Sequence, residues 1–368
     1  MHDCKSAALS RKWLRAHGDK IFTIGEDGKV ACWSASFRAE GPESGDQRSR
    51  KRARGPVRPV ALLSEVEQLA VQEPPPGASG PVRVFFVEYE THRVRWVDED
   101  GTVGTRAGQT NAPGSRDGAA GSATFKGPLG VAVGRDGAIL VADTHNRTLR
   151  RISPDKQVTT LAGKTGEQAH RDGKGAAAAF TRPTVPAVDH RNGDLFVLDE
   201  SRDDERLGPK IPDRVRRVTP GGEVTTLVRR EDGTLGFEAW TGAASGPELA
   251  ALGWLRGLSC WLGHLYLCFT PVNTVKKLDL ETGVLTTLLP GLLGETESRT
   301  GPLAGPDRAF LRAPCALGFN RDGACAVATT RAVYSLSLEG LIPPAAASVE
   351  DKADGKAGQG GGDGTATR

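Results

Sequence analysis

Methionine occurs once in the 368 residues, and cysteine six times. Cys4, Cys32, Cys260, Cys268, Cys315 and Cys325 include no Cys-x-x-Cys pair, the spacing that zinc ribbons and dithiol redox sites need. Cys260 and Cys268 could face each other across a hairpin turning at Gly263-His264, but burial as two apolar positions is the simpler reading. No apolar run reaches the ~18 residues of a membrane span. Met1–Ala16 has no continuous apolar stretch of the secretory kind, so no signal peptide is expected. Sparse cysteines without such a signal predict buried thiols in a reducing, intracellular and cytoplasmic setting.

Recognisable catalytic constellations are also missing. There is no Gly-x-Ser-x-Gly elbow, no Ser-His-Asp arrangement and no glycine-rich phosphate loop. A zinc site in a channel would need about three converging histidines. Of His2, His17, His92, His145, His170, His190 and His264, only His92 and His145 occupy matching positions. Carboxylates show no calcium-loop spacing. The expectation is therefore no catalytic residue, no metal and no cofactor.

The formal net charge of +3 is unevenly placed. Residues 38–60 hold seven basic and three acidic residues, whereas 341–368 hold three basic and four acidic, which leaves the remainder neutral. A neutral body argues against nucleic-acid binding by the folded part and leaves only weak contact through Arg50–Arg54. The run Arg48–Arg54 could also serve nuclear import, although a solvated loop is the weightier reading.

What the chain does have is glycine, 47 of them, and a repeat. Between Asp117 and Ile152, runs of about four apolar residues alternate with Gly, Pro, Asp and Asn. This is the pattern of short strands and tight turns. Phe180 follows Phe125 by 55 residues, Pro183 follows Pro128 by 55, and Gly163 follows Gly108 by 55. Gly193 follows Gly137 by 56, a slip that a hairpin turn tolerates. A fixed period of this size means a repeat architecture.

A second marker recurs as Val94-Arg95-Trp96-Val97, Leu149-Arg150-Arg151-Ile152, Val215-Arg216-Arg217-Val218 and Val275-Lys276-Lys277-Leu278. Weaker forms are Val30-Ala31-Cys32-Trp33 and Val333-Tyr334-Ser335-Leu336. Alternation sends the apolar ends to opposite faces, as in a sheet packed on both sides. Long Arg and Lys stems are expected to lie between sheets with their heads in water. Six units predict an all-β fold, a six-bladed β-propeller of four-stranded antiparallel blades.

The domain reading follows. Residues 1–80 make an irregular first blade with a disordered basic loop at 38–58, a short helix at Ser64–Gln72 and a Pro/Gly linker at Glu73–Gly80. Residues 81–340 make the remaining blades of one propeller, and 341–368 a disordered tail.

The run Asp117, Gly118, Gly121, Ala123, Phe125, Pro128, Gly130, Val131, Val133, Gly137, Ile139, Val141, Ala142, Asp143, Asn146, Leu149, Arg150 and Ile152 resembles the NHL repeat. Ala123 is displaced by one position. A second copy keeps Asp172, Gly173, Gly175, Phe180, Pro183 and Asp199, has Val185 in place of Gly130, and inserts Arg202–Pro212. The resemblance is strongest over about 84–230 and extends to about 338. It implies a six-bladed propeller that mostly binds proteins, sometimes RNA. A minority of similar propellers are metal-dependent lyases or lactonases.

Two functions remain in view. One is a non-enzymatic protein-interaction scaffold with partners of unknown identity. The other is a metal-dependent hydrolase or lyase with an ion in the central channel. For the scaffold, loops converging on one face nominate Leu129, Thr144, His145, Arg147, Arg182, Thr184, Glu200, Arg202 and Pro314. Reversing Arg182 and Arg202 to Glu should then leave stability nearly unchanged. Phe125, Pro128, Asp143, Asn146, Phe180 and Pro183 are read as structural: Asp143 and Asn146 closing a turn, and Phe125, Phe180 and Phe310 filling gaps between blades.

Overall fold

The computed structural model describes residues 15–17, 20–24, 30–34, 66–72, 83–98, 103–200, 213–229, 235–238, 255–270, 273–289, 314–319, 325–329 and 333–336. The basic segment 38–58, Arg202, Phe310 and the tail 341–368 lie outside them.

Strands β1 (Arg15–His17), β2 (Lys20–Ile24) and β3 (Val30–Ser34) form a three-stranded antiparallel sheet. Next come β4 (Val66–Gln72), β5 (Arg83–Glu88), β6 (Arg93–Asp98) and β7 (Val103–Ala107), a four-stranded meander. The third sheet holds β8 (Gly118–Ala119), β9 (Gly130–Val133), β10 (Ile139–Asp143), β11 (Thr148–Ile152) and β12 (Gln157–Gly163). The fourth holds β13 (Gly173–Lys174), β14 (Pro183–Val188), β15 (Leu195–Asp199), β16 (Arg214–Val218), β17 (Glu223–Arg229) and β18 (Leu235–Glu238). The fifth runs β19 (Leu255–Trp261), β20 (His264–Phe269), β21 (Thr274–Asp279) and β22 (Leu285–Leu289). The last is β23 (Pro314–Phe319), β24 (Cys325–Thr329) and β25 (Val333–Leu336).

The architecture is an all-β propeller. Four sheets have at least four strands and two have three, so four complete blades stand where six are expected from the sequence. The sequence adjoining the two short sheets lies outside the described residues. First strands meet across the seams: β4 with β9, β9 with β14, β14 with β19, and β19 with β23. At Gly130 on β9 a Cβ would come within 2.4 Å of Pro186 Cδ and 2.5 Å of the Thr184 carbonyl oxygen. Glycine there permits the close approach of β9 to β14.

Strand β10 shows why the apolar runs are continuous rather than alternating. Ile139 and Val141 join a core with Phe85, Val94 and Phe125, on the side of the second sheet. Leu140 and Ala142 join another with Phe180, Leu195 and Val197, on the side of the fourth. A strand buried on both faces has no polar side to offer water. Each such Ile, Leu or Val contributes about 1.5–3 kcal/mol on burial. The four-residue marker divides as expected, Leu149 going to one core and Ile152 to the other.

Two expectations are corrected. Val66–Gln72 is not helical but is the first strand of the second sheet, paired to β5. A register shift between Val66 and Leu69 breaks the period of two, and the resulting spacing of Val66, Leu69 and Ala70 imitates a helix. The heads of Arg150 and Arg216 do not reach water, since both side chains are fully buried. Only the second cation of each pair is partly exposed, with Arg151 bound to Asp136 and Arg217 to Asp194. Among the described residues, no helix is long and apolar enough to cross a membrane.

Candidate functional site

The site begins with a buried polar cluster that fixes the loops between second and third strands. Asp143 ends β10. Its Oδ1 accepts the Lys126 backbone N–H at 2.8 Å, and its Oδ2 accepts Asn146 Nδ2 at 2.8 Å and Arg150 Nη1 at 2.9 Å. Arg150 also donates to Asp117 and to the carbonyls of Arg116 and Thr124, with its guanidinium 5.1 Å from the Phe125 ring centroid. Asn146 does bond the nearby Asp143, but its other contact is the Gly114 carbonyl, across the connection.

The next sheet repeats the cluster. Asp199 accepts the Thr181 and Arg182 N–H groups and Arg216 Nη1, and Arg216 reaches Asp172 at 2.7 Å. Here His170 Nδ1 supplies the fourth donor, at 2.8 Å. In the second sheet, Glu88 holds Arg93 and Arg95. In the fifth, the register position of Asp143 and Asp199 is occupied by Phe269.

The two carboxyls differ electrostatically. Burial pushes the Asp143 carboxyl up to about 6, overcoming the donors that favour its charged form. At Asp199 burial pushes the same way, but His170 and Arg216 hold the carboxyl below its usual range.

At this end of the second strand, the described loops of the second, third and fifth sheets each turn through a left-handed residue. His92, Arg147 and Asn273 have φ of 59°, 59° and 52°. Between these points lie side chains that bridge adjacent sheets. Thr144 Oγ1 donates to the Pro183 carbonyl at 2.7 Å, and Thr270 Oγ1 donates to the Pro314 carbonyl at 2.8 Å. Tyr89 Oη and His145 Nε2 are hydrogen-bonded at 3.2 Å with their rings edge-on.

Between the third and fourth sheets these loops enclose a polar hollow of about 380 Å³, lined by Lys126, Thr144, His145, Arg147, Gln168, Thr181 and Arg182. Arg182 pairs with Glu200 at 2.6 Å, and Arg147 Nη2 donates to Gln168 Oε1 at 3.0 Å. Desolvation lowers the His145 imidazole below its ordinary value, and the positive charges of Arg182, Lys126, Arg147 and His92 add to this.

Of the nominated residues, Thr144, His145, Arg147 and Arg182 come together in this hollow. Thr184 and Glu200 stand beside it, bonded to each other at 3.3 Å, with Arg256 3.8 Å from Glu200. Leu129 is half-buried and uses its N–H on the Ala142 carbonyl. Pro314 sits at a different seam, under Thr270. Phe125 and Phe180 are buried in the two inter-sheet cores. Lys126, Gln168 and Thr181 were not nominated: Lys126 and Thr181 share one repeat position after Phe125 and Phe180 but differ in residue type, and Gln168 lies in a connection. Asp117, Asp172, Arg150 and Arg216 were visible as repeat positions, but their convergence was not.

A protein-family model for the NHL repeat matches residues 125–152. The chain carries an NHL repeat. The matched span holds the whole Asp143–Arg150 pair and the Thr144–Arg147 loop. Protein SUPPRESSOR OF QUENCHING 1, chloroplastic, of Arabidopsis thaliana is 38% identical over 87 residues, 23% of this NHL-repeat chain and 8% of that protein. Solved structures similar to it include a streptogramin B lyase at 14% identity and TM-score 0.41, covering 86% of this chain and 71% of that one. A gluconolactonase of Xanthomonas campestris has 17% identity and TM-score 0.42, covering 74% and 72%. A nidogen/laminin complex has 12% identity and TM-score 0.43, covering 76% and 79%.

Proposed function

We propose that this NHL-repeat chain is a six-bladed propeller that binds a protein partner through the face carrying its second-to-third strand loops. The observation that carries the reading is the convergence of Thr144, His145, Arg147 and Arg182 on one polar hollow. Their scaffolding is buried beneath them, so the loop side chains can vary while the strands hold position. Contacts of β23 with β1 and of β1 with β4 support a ring of six.

The test is occlusion. Lys126 and Gln168 are exposed at the hollow. Replacing both with Trp should abolish capture of a partner that then binds the purified parent protein directly, with little change in melting temperature. Surface changes of this kind usually alter stability by less than about 0.5 kcal/mol. An unchanged set of captured proteins counts against the reading. Purified protein that holds a stoichiometric metal and hydrolyses simple lactones would replace it with the enzymatic one.

A further inference from the structure

We propose that the hollow between the third and fourth sheets is an oxyanion site, built by Lys126, His145 and Arg147 to hold a carboxylate or phosphate group. The inference rests on the binding reading above and names the chemistry that the face recognises.

The first reason is an imbalance of charge. Four groups able to carry positive charge line the hollow: Lys126, His145, Arg147 and Arg182. Arg182 is matched by Glu200. Among the described residues, Lys126 and Arg147 form no ion pair. A compact anion would supply the missing charge in a site partly shielded from water, where charge-assisted hydrogen bonds are strong.

The second reason is the supply of donors. The backbone N–H groups around the hollow are already used: Lys126 and Arg182 bond carboxylates, and Gly127 donates to His92 Nδ1. Thr144 Oγ1 is held by Pro183, and Thr181 Oγ1 by His170. What remains is side-chain chemistry. Arg147 Nε is buried and has no acceptor. A buried donor left without a partner is unfavourable, and an acceptor that drew the guanidinium towards it would relieve this.

The third reason is strain. The left-handed position of this loop is filled elsewhere by His92 and Asn273, residue types that tolerate it. An arginine at the same φ holds a sparsely populated backbone conformation. The turn places this guanidinium on the wall of the hollow.

The groups facing His145 are Lys126, Arg147, Arg182 and His92, all cationic or able to become so, and the Tyr89 hydroxyl. An anion placed among them would favour the imidazolium. Binding would therefore take up a proton, and it would tighten as pH falls towards the lowered midpoint of the free imidazole. With about 380 Å³ available, the hollow has room for the anion and the group that bears it. The bearer is an acidic side chain of the partner or a free small anion.

The experiment is a histidine NMR titration of the full chain with inorganic phosphate, with His145 assigned by His145→Gln. Saturable movement of the His145 resonances is expected, with a rise of about one pH unit in its titration midpoint, equivalent to tenfold tighter binding by the protonated form. Arg147→Asn keeps a residue suited to the left-handed turn, as Asn273 shows, and Lys126→Ala keeps the backbone bond to Asp143. Each should weaken phosphate about fivefold or more. Displacement of phosphate by a glutamate-rich peptide, but not by its glutamine counterpart, would identify a partner side chain as the source. Phosphate binding without such competition would identify a free anion. The proposal is overturned if His145 does not respond to phosphate at tens of millimolar, or if both variants bind it as the parent does. Loss of partner capture on occlusion, beside an unresponsive His145, would leave the binding reading standing and remove only the oxyanion site.

Discussion

Arg150 Nη1 lies 2.9 Å from Asp143 Oδ2, and neither side chain is exposed to water. Arg216 stands to Asp199 in the same way at 3.0 Å. The pair joins the end of β10 to β11, the third strand of the sheet, so it sets where the loop between them begins. Its cost is the desolvation of two charges, offset by the number of donors each carboxylate accepts.

Removing one partner should therefore be far worse than removing both. Asp143→Ala strands the Arg150 guanidinium and should cost about 3–5 kcal/mol. Asp143→Leu with Arg150→Met should cost much less or nothing, since buried ion pairs are often replaceable by apolar groups of similar volume. The fifth sheet already carries Phe269 at the acidic position. Urea denaturation of both variants checks this, and equal losses would refute it.

The two repeat carboxyls should titrate apart. Asp143, raised to about 6, holds its proton in the folded state to higher pH than the unfolded chain does. Its contribution to stability is full below the unfolded value and is lost as pH rises to about 6. Asp199 is lowered, so its contribution is present above the unfolded value and is lost as pH falls through the folded one. Carboxyl carbon NMR titration should show Asp143 moving near pH 6 while Asp199 stays ionised to below the ordinary aspartate range. A common midpoint would sink the assignment.

Phe180 fills the core between the third and fourth sheets and also underlies a cation, with the Arg216 guanidinium 5.0 Å from its ring centroid. Phe180→Ala should cost about 3–5 kcal/mol. Phe180→Leu should cost less, because it retains most of the volume. Calorimetry of the two variants separates these outcomes.

Arg182 carries a revised expectation. From sequence it is a loop residue whose reversal to Glu leaves stability unchanged. In the structure its Nη1 lies 2.6 Å from Glu200 Oε2, and both side chains are largely buried. Arg182→Glu places two carboxylates together and should destabilise by about 1–3 kcal/mol. Arg182→Glu with Glu200→Arg should recover part of the loss. A melting temperature unmoved by the single change would restore the sequence-based view.

The strands were legible because their residues are constrained locally. Continuous apolar runs report burial on two faces, and Gly137 marks a turn that needs positive φ. Asp143 and Phe125 announce themselves by recurring. The hollow was legible only in part. Thr144, His145, Arg147 and Arg182 stand out by departing from the repeat, whereas Lys126 and Gln168 join them through tertiary placement alone. The donor exchange between Asn146 and His170 was illegible for a further reason. One arrives from inside the loop and the other from the preceding connection, so no alignment of the repeats superposes them.

The two-residue strands β8 and β13 have a consequence for association. Each rises from the chain between sheets and pairs with the outermost strand of the sheet that follows, β8 on β12 and β13 on β17. Exposed strand edges are templates for pairing with another molecule, and here part of each template is already occupied by the chain itself. Among the described residues, the last strands β3, β7, β22 and β25 of the other four sheets have no such cover. Under heat or crowding, edge-to-edge recruitment of one molecule by another would start at those strands, leaving the hollow's own pair of sheets the last to be drawn into an aggregate.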